Sequence, residues 1–198
     1  MKKTVFLFLG IFLLLFTFSG CETTSGVTQA DGNGDYKFKE SYDRQTNSTS
    51  ITLPYFENSL WNLNGNMFTD EGESIRFMIN ENLLGFSVSY NNKRWLDIES
   101  IVFYNEENTV RLTIPFLTNN KRISSSTVWE DCIGIIPLNE ALQLAEILGS
   151  NQAYCYLKGS RGITKEFKMS ATLQGSSKAM VDKWFEVIAD KADSEITE

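Results

Sequence analysis

Beyond residue 50, apolar side chains recur at every second position of the chain. The alternation runs through Ile75, Phe77 and Ile79, continues over residues 84–90, and is cleanest over residues 110–116. Short polar stretches separate these segments. Such alternation predicts antiparallel strands that bury one face and expose the other to water.

Two further segments extend the predicted sheet. Residues 128–136 carry apolar side chains on both faces, which indicates a central strand. Residues 153–157 and 163–169 flank the sequence Gly-Ser-Arg-Gly at positions 159–162, so we predict a hairpin there.

Two segments follow the 3.6-residue period of a helix instead. The first is predicted over about residues 139–149, with Asn139 as its N-cap. The second is predicted over about residues 177–191, with Ser176 or Ser177 as its N-cap. The predicted apolar stripes are Leu142, Ala145, Ile147 and Leu148 in the first helix and Met180, Val181, Trp184, Phe185 and Ile188 in the second.

The order of these elements defines the fold class. Strands come in a run and do not alternate with helices, so a parallel doubly wound sheet is not expected. We predict an α+β fold, mainly an antiparallel β-sheet or an open sandwich, with the two helices packed on it.

Composition excludes several classes of site. The chain contains no histidine, which rules out Ser-His-Asp and Cys-His catalysis, histidine-containing zinc sites and imidazole acid–base chemistry. No cofactor motif or set of metal ligands stands out in the sequence, so we predict neither a cofactor nor a metal. An enzyme built from this chain would depend on carboxylates, Lys, Tyr or Ser-Lys chemistry.

The first twenty residues have the pattern of an export signal. Lys2 and Lys3 form a positive start, and Val5–Phe18 is a mainly apolar run of 14 residues. As a helix this run measures about 21 Å, which is short of the roughly 30 Å hydrocarbon core of a bilayer. Removing residues 1–20 leaves 16 Lys and Arg against 25 Asp and Glu, a net charge of −9. That balance argues against nucleic acid as a partner and against a polybasic membrane patch.

The sequence Phe18-Ser19-Gly20-Cys21 resembles the lipobox of bacterial lipoproteins, although Phe18 stands where that family usually has Leu, Val or Ile. The resemblance covers residues 1–21 only. It implies cleavage before Cys21 and acylation of Cys21, with palmitate as a typical chain, so that the protein is bound to a membrane through a lipid anchor. Two or three acyl chains hold a protein durably, whereas one binds reversibly. Glu22 is not the aspartate that retains some lipoproteins at the inner membrane, so the resemblance favours the outer membrane of a cell envelope.

These features divide the chain into four predicted parts. Residues 1–20 are the lipoprotein signal peptide, and residues 21–50 are the lipidated N-terminus with a flexible polar tether. Residues 51–192 form the β-rich globular domain, and residues 193–198 a disordered tail. The tether is predicted because a segment rich in Thr, Ser, Gly, Asn and Asp buries too little apolar surface to offset its ordering entropy.

Cysteines, aromatic residues and one acidic pair supply the candidate site residues. Cys132 and Cys155 lie in strand-like apolar segments, and either a disulfide between them or two buried thiols fits this placement. Most aromatic residues follow the periods of the core. The candidate exposed aromatic contacts, which lie near predicted turns, are Tyr90, Trp95 and Tyr104. The adjacent carboxylates Glu130 and Asp131 are expected to be solvated or ion-paired at the surface.

Together these observations favour a non-enzymatic envelope lipoprotein. Its tethered β-rich domain would bind an envelope protein, a peptide or a glycan through a sheet face or edge. Two alternatives stay open. One is a structural or surface-masking lipoprotein without a specific ligand. The other is a carboxylate-based hydrolase of envelope glycans, which would need two carboxyl groups about 5–9.5 Å apart in a cleft.

Overall fold

The computed structural model describes residues 36–53, 74–115, 118–124 and 126–196. The strands within these ranges are β1 (Lys39–Asp43), β2 (Ser48–Thr52), β3 (Ser74–Asn80), β4 (Leu83–Asn92), β5 (Ile98–Tyr104), β6 (Thr109–Thr113), β7 (Asn120–Ser124), β8 (Thr127–Ile135), β9 (Tyr154–Gly159), β10 (Gly162–Ile163) and β11 (Phe167–Lys168). The helices are α1 (Leu138–Leu148) and α2 (Ala171–Ile196). The predicted α+β fold, an antiparallel sheet structure with two helices, is confirmed.

The described strands form two sheets in which neighbouring strands are antiparallel. The six-stranded sheet has the order β1-β2-β3-β4-β8-β7, and the five-stranded sheet has the order β10-β9-β5-β6, with β11 also pairing with β9. The predicted central strand is confirmed, because β8 pairs with β4 on one side and with β7 on the other. The predicted hairpin is also confirmed, since Gly159 pairs with Gly162.

A hydrophobic core joins both sheets to both helices. Phe77 of β3 contacts Phe103 of β5, with 6.0 Å between the ring centroids. α1 packs on β5 and β6, and α2 packs on β3, β4 and α1. Each large apolar side chain that is fully buried contributes about 1.5–3 kcal/mol relative to an exposed one. The two sheets therefore stabilise each other through their inner faces.

The start and the buried face of α1 differ from the prediction. α1 begins at Leu138 after Pro137, which has no side-chain capping group, so the prediction of Asn139 as N-cap is wrong. A proline is tolerated at this end because it has no N–H to satisfy and its φ is already suitable. Leu142 is 51% exposed, so its place in the predicted stripe is also wrong. The buried face of α1 consists of Ala141, Leu144, Ile147 and Leu148.

The second helix is longer than predicted. α2 begins at Ala171, and Ser176 and Ser177 lie buried within it, so neither is the N-cap. Ser170 has that role, because its Oγ accepts the backbone N–H of Leu173 at 3.2 Å. The predicted apolar stripe is confirmed: its members, buried or partly buried against the core, are Met180, Val181, Trp184, Phe185 and Ile188.

Two predicted domain limits are wrong. The tether was expected to reach residue 50, but β1 pairs with β2 and β2 with β3. Backbone hydrogen bonds form these pairs even though β1 lacks an alternating apolar pattern, and Ile51 of β2 reaches the core. The tail was expected to start at residue 193, but α2 continues to Ile196. The predicted signal peptide, Cys21 and residues 22–35 lie outside the described residues.

Glu130 of β8 is a fully buried carboxylate, so its predicted surface position is wrong. Its Oε1 accepts the backbone N–H groups of Leu96 and Asp97 at 2.6 and 2.9 Å, and its Oε2 accepts that of Ile98 at 2.9 Å. The side-chain amide of Asn119 also donates to Oε2, at 3.4 Å. Backbone donors thus replace water around the charge, which is what makes a buried carboxylate tolerable.

The segment held by Glu130 also contacts the five-stranded sheet. The backbone carbonyls of Asp97 and Leu96 accept the N–H groups of Ser160 and Arg161 at 3.1 and 3.2 Å. Gly159 lies so close to these carbonyls that an added Cβ would be 2.2 Å from the Leu96 oxygen. Asp97 has a φ of 53°, in the left-handed region that Asp adopts more readily than most residues. The β4–β5 connection therefore joins the two sheets.

We expect Glu130→Gln to lower the free energy of unfolding by about 3 kcal/mol. The amide has one oxygen, so its NH2 group must face either the N–H groups of Leu96 and Asp97 or that of Ile98. Chemical denaturation measures the loss, and faster amide hydrogen exchange at residues 96 and 98 locates it. Exposed Glu107→Gln is the matched control. A loss no larger than that of Glu107→Gln contradicts this account.

Candidate functional site

The outer face of the five-stranded sheet carries a cluster of aromatic side chains. Val102 and Tyr104 of β5, and Tyr154 and Tyr156 of β9, occupy positions that alternate with core residues. The strand register places Val102 opposite Tyr156 and Tyr104 opposite Tyr154. We call these four residues the tyrosine face.

The three rings of the tyrosine face hold one another in place. Tyr104 stacks on Tyr154, with 5.3 Å between centroids and 19° between planes. It meets Tyr156 edge-on, at 6.2 Å and 64°. Each such contact contributes about 0.5–1.5 kcal/mol beyond the area that it buries. Val102 is only 5% exposed, whereas the rings are half-buried, so the surface offered to a ligand is mostly tyrosine.

Cations surround the tyrosine face. Arg111 of β6 lies opposite Val102, and Lys168 of β11 lies opposite Tyr154. Lys158 follows on the same face of β9. All three cations are exposed. The tyrosine face therefore has positive charge at its edges, although the chain as a whole has a net charge of −7.

One carboxylate, Glu166, lies beside Tyr104. Burial, followed by the hydrogen bond and the charge of Glu166, raises the pKa of the Tyr104 phenol to about 12. The hydroxyls of Tyr154 and Tyr156 act in the same direction. Tyr104 is therefore protonated and uncharged at neutral pH, and its ring remains an apolar contact.

The three aromatic residues selected from the sequence have different surroundings. Tyr90 is 6% exposed and its hydroxyl donates to the Arg94 carbonyl at 3.0 Å, so it is not a surface contact. The reason is that β4 continues through residues 91 and 92, which keeps Tyr90 on the inner face. Trp95 is half-buried, with Lys121 Nζ 5.6 Å from its ring centroid. Tyr104 alone of the three belongs to the tyrosine face.

Cys132 and Cys155 are buried thiols and do not form a disulfide. Cys132 belongs to the six-stranded sheet and Cys155 to the five-stranded sheet. Burial, followed by the charges of Glu130 and Asp131, raises the pKa of the Cys132 thiol to about 12. A thiol that stays protonated is a poor nucleophile, so Cys132 serves packing.

Tyr154 and Tyr156 belong to the site although the periodicity does not select them as contacts. Their signal is the sequence Tyr154-Cys155-Tyr156, in which a small residue separates two large aromatic ones. Once Cys155 is assigned to the core, its two neighbours must lie on the other face of the strand. That assignment requires the pairing of β9 with β5, which is not readable from local sequence.

Within residues 36–53, 74–115, 118–124 and 126–196, no three His, Cys, Asp or Glu side chains come together as a metal-binding group. Neither α1 nor α2 has the length and apolar character needed to cross a bilayer. No protein-family model, no curated protein and no solved structure matches this chain.

We expect Glu166→Gln to lower the pKa of Tyr104, because it removes a negative charge that opposes formation of the phenolate. Part of the elevation should remain, since burial is its largest cause. The absorbance of the phenolate is followed as the pH is raised. Subtracting the curve of the same protein with Tyr104→Phe leaves the titration of the Tyr104 phenol. Glu107→Gln is the control, because Glu107 does not contribute to the shift. An unchanged pKa of Tyr104 in Glu166→Gln would contradict the contribution of Glu166.

Proposed function

We propose that this chain is a non-enzymatic, lipid-anchored protein of a bacterial cell envelope, and that its domain binds another protein through the tyrosine face. The observation that carries the proposal is the set of three tyrosine rings on the outer face of the five-stranded sheet, in which Tyr104 packs against both Tyr154 and Tyr156.

The composition of the tyrosine face supports a protein partner. Tyrosine and arginine are enriched among the residues that dominate protein–protein binding, and Arg111 borders the three tyrosines. A tyrosine ring offers a large contact area at little cost in side-chain entropy. Here that cost is reduced further, because the rings already restrain one another before a partner arrives.

The charges around the tyrosine face support an acidic partner. Arg111, Lys158 and Lys168 lie on this face or beside it, and Glu166 is the carboxylate that interacts with Tyr104. Complementary charge at the rim of an interface mainly increases the association rate and excludes partners of the wrong charge. Binding should therefore weaken as salt is added, because exposed charges are screened within about 8–10 Å at physiological ionic strength.

The anchoring part of the proposal rests on Ser19-Gly20-Cys21 and the preceding apolar run. Fourteen residues lie between Cys21 and Tyr36, where the described chain begins. Even a fully extended segment of that length spans at most about 50 Å. A lipid on Cys21 would thus keep the tyrosine face close to a membrane and to partners in the same envelope.

We expect Tyr154→Ala/Tyr156→Ala to weaken partner binding by about 2 kcal/mol, or roughly thirty-fold. The mature protein is used to capture its partner from detergent-solubilised envelopes. Titration with the purified partner then gives a binding curve, and its saturation gives the affinity. The matched control is Tyr42→Ala on β1, which removes a tyrosine that is 58% exposed and far from the tyrosine face in the topology.

Three outcomes would contradict the assignment. Equal affinity of the double variant and wild type would remove the tyrosine face from the interface. Tyrosine-dependent binding of a purified glycan, with no protein bound, would replace the protein partner by a carbohydrate. If no partner binds saturably, the result would favour the structural or surface-masking alternative.

We expect cells fed labelled palmitate to label the wild-type chain and not Cys21→Ser, because the resemblance implies acylation of that cysteine. Radiolabel and the intact mass of the mature protein are the measurements. Cys132→Ser is the control, since a buried thiol with a raised pKa should not be acylated. An unlabelled wild-type chain, or a mass without acyl groups, contradicts the anchor.

A further inference from the structure

The sequence Asn-Asn-Lys-Arg occurs twice, at residues 91–94 and 119–122. The first copy lies at the end of β4 and the second at the start of β7, so the copies flank β8. Within this arrangement Trp129 of β8 pairs with Asn91 on one side and with Arg122 on the other. The fold thus brings two distant basic motifs together around one tryptophan.

Each cation of the second copy lies over a tryptophan ring. Lys121 Nζ is 5.6 Å from the centroid of Trp95, and the guanidinium of Arg122 is 5.2 Å from that of Trp129. Both cations remain accessible, with 39% and 66% of their side chains exposed. The rings are half-buried, so part of each ring reaches the surface.

Three more cations complete this surface. Lys93 and Arg94 of the first copy are exposed. Arg161, from the β9–β10 turn, is 59% exposed and shares Asp97 with Lys121. We call this surface the basic end; it comprises Lys93, Arg94, Lys121, Arg122 and Arg161, together with Trp95 and Trp129.

The basic end has an excess of positive charge after its own ion pairs are counted. Asp97 pairs with Lys121 and Arg161, and Asp131 pairs with Arg122 at 2.8 Å. Glu130 is the third carboxylate here, buried beneath them. Arg76, which interacts with Asp131, is a sixth cation behind the exposed five. Among these described residues, six cations therefore stand against three carboxylates, whereas the chain as a whole has a net charge of −7.

The strand directions show which end of the sheet the start of β1 points toward. β1 and β3 run in the same direction, because each is antiparallel to β2. β3 starts at Ser74, which lies in the row of Ser89 and Asp131 near the basic end. The N-terminal end of β1 thus points toward the basic end, whereas the β1–β2 turn at residues 44–47 lies at the opposite end and edge of the sheet.

We infer that the basic end is a docking surface for the anionic phospholipid headgroups of the membrane that holds the anchor. Arginine and lysine attract such headgroups, and tryptophan favours the boundary between headgroups and acyl chains. The excess charge is small, so the contact depends on the high effective concentration that the tether provides. In this respect the inference rests on the proposed function, which supplies the lipid on Cys21.

Site-specific quenching on vesicles tests the docking. The mature lipidated protein carries a fluorophore on Ser126→Cys, in the β7–β8 turn beside the basic end, or on Gln45→Cys, in the β1–β2 turn. Cys132 and Cys155 are fully buried and should not take up the label in the folded protein. The vesicles contain spin-labelled lipid in phosphatidylcholine, with or without phosphatidylglycerol. We expect phosphatidylglycerol to increase quenching at residue 126 about two-fold or more and to leave residue 45 unchanged.

Charge reversal supplies the matched comparison. Lys93→Glu/Arg94→Glu should abolish the extra quenching at residue 126. Arg44→Glu/Lys191→Glu, which changes the net charge equally at exposed positions elsewhere, should retain it. Equal loss in both double variants, or no effect of phosphatidylglycerol on the wild type, would overturn the docking.

The remaining outcomes separate this inference from the proposed function. A chain that does not float with the vesicles contradicts the anchor and the docking together. A chain that floats, and yet is quenched equally with and without phosphatidylglycerol, contradicts the docking alone. Tight binding of soluble polyphosphate that displaces the domain from the vesicles would assign the basic end to a soluble polyanion instead.

Discussion

The carboxylate of Glu130 accepts three consecutive backbone N–H groups, two from the β4–β5 connection and one from the first residue of β5. Removing a charge from water costs several kcal/mol, and only well-aligned donors offset that cost. The donors thus lie at the start of the five-stranded sheet, whereas Glu130 itself belongs to β8 of the six-stranded sheet. The two sheets are thus oriented by a polar contact as well as by their core. Trp95 of the basic end, and Asp97, which pairs with Lys121 and Arg161, belong to the segment that this contact positions.

The local and the overall charge of this molecule have opposite signs. Net charge argued against a polybasic membrane patch, because acidic residues outnumber basic ones along the chain. Strand pairing nevertheless gathers residues 93–94, residues 121–122 and Arg161 at one end of the six-stranded sheet. Exposed charges interact over only about 8–10 Å at physiological ionic strength, so a ligand responds to the local cluster. Composition alone is therefore a poor guide to the surface of a sheet protein.

Period-two alternation predicted the strands of the core because each of them has one buried face. Alternation does not predict β1, whose mostly polar residues are held by backbone pairing with β2. It also does not predict the burial of Glu130, because the backbone donors to its carboxylate lie 32 to 34 residues earlier in the chain. Tyr104 could be selected locally, near a turn. Tyr154 and Tyr156 could not, because their partner strand is known only after β9 is paired with β5.

Strand β9 links the two proposed surfaces and sets their separation. It runs from Tyr154, on the tyrosine face, to Gly159, which leads into the turn that carries Arg161. Five residues of extended strand span about 17 Å. If the basic end lies against headgroups, the stacked pair of Tyr104 and Tyr154 is directed away from the bilayer along this strand. A protein partner could then bind the stacked pair without displacing the domain from the membrane, so the two surfaces are compatible within one orientation.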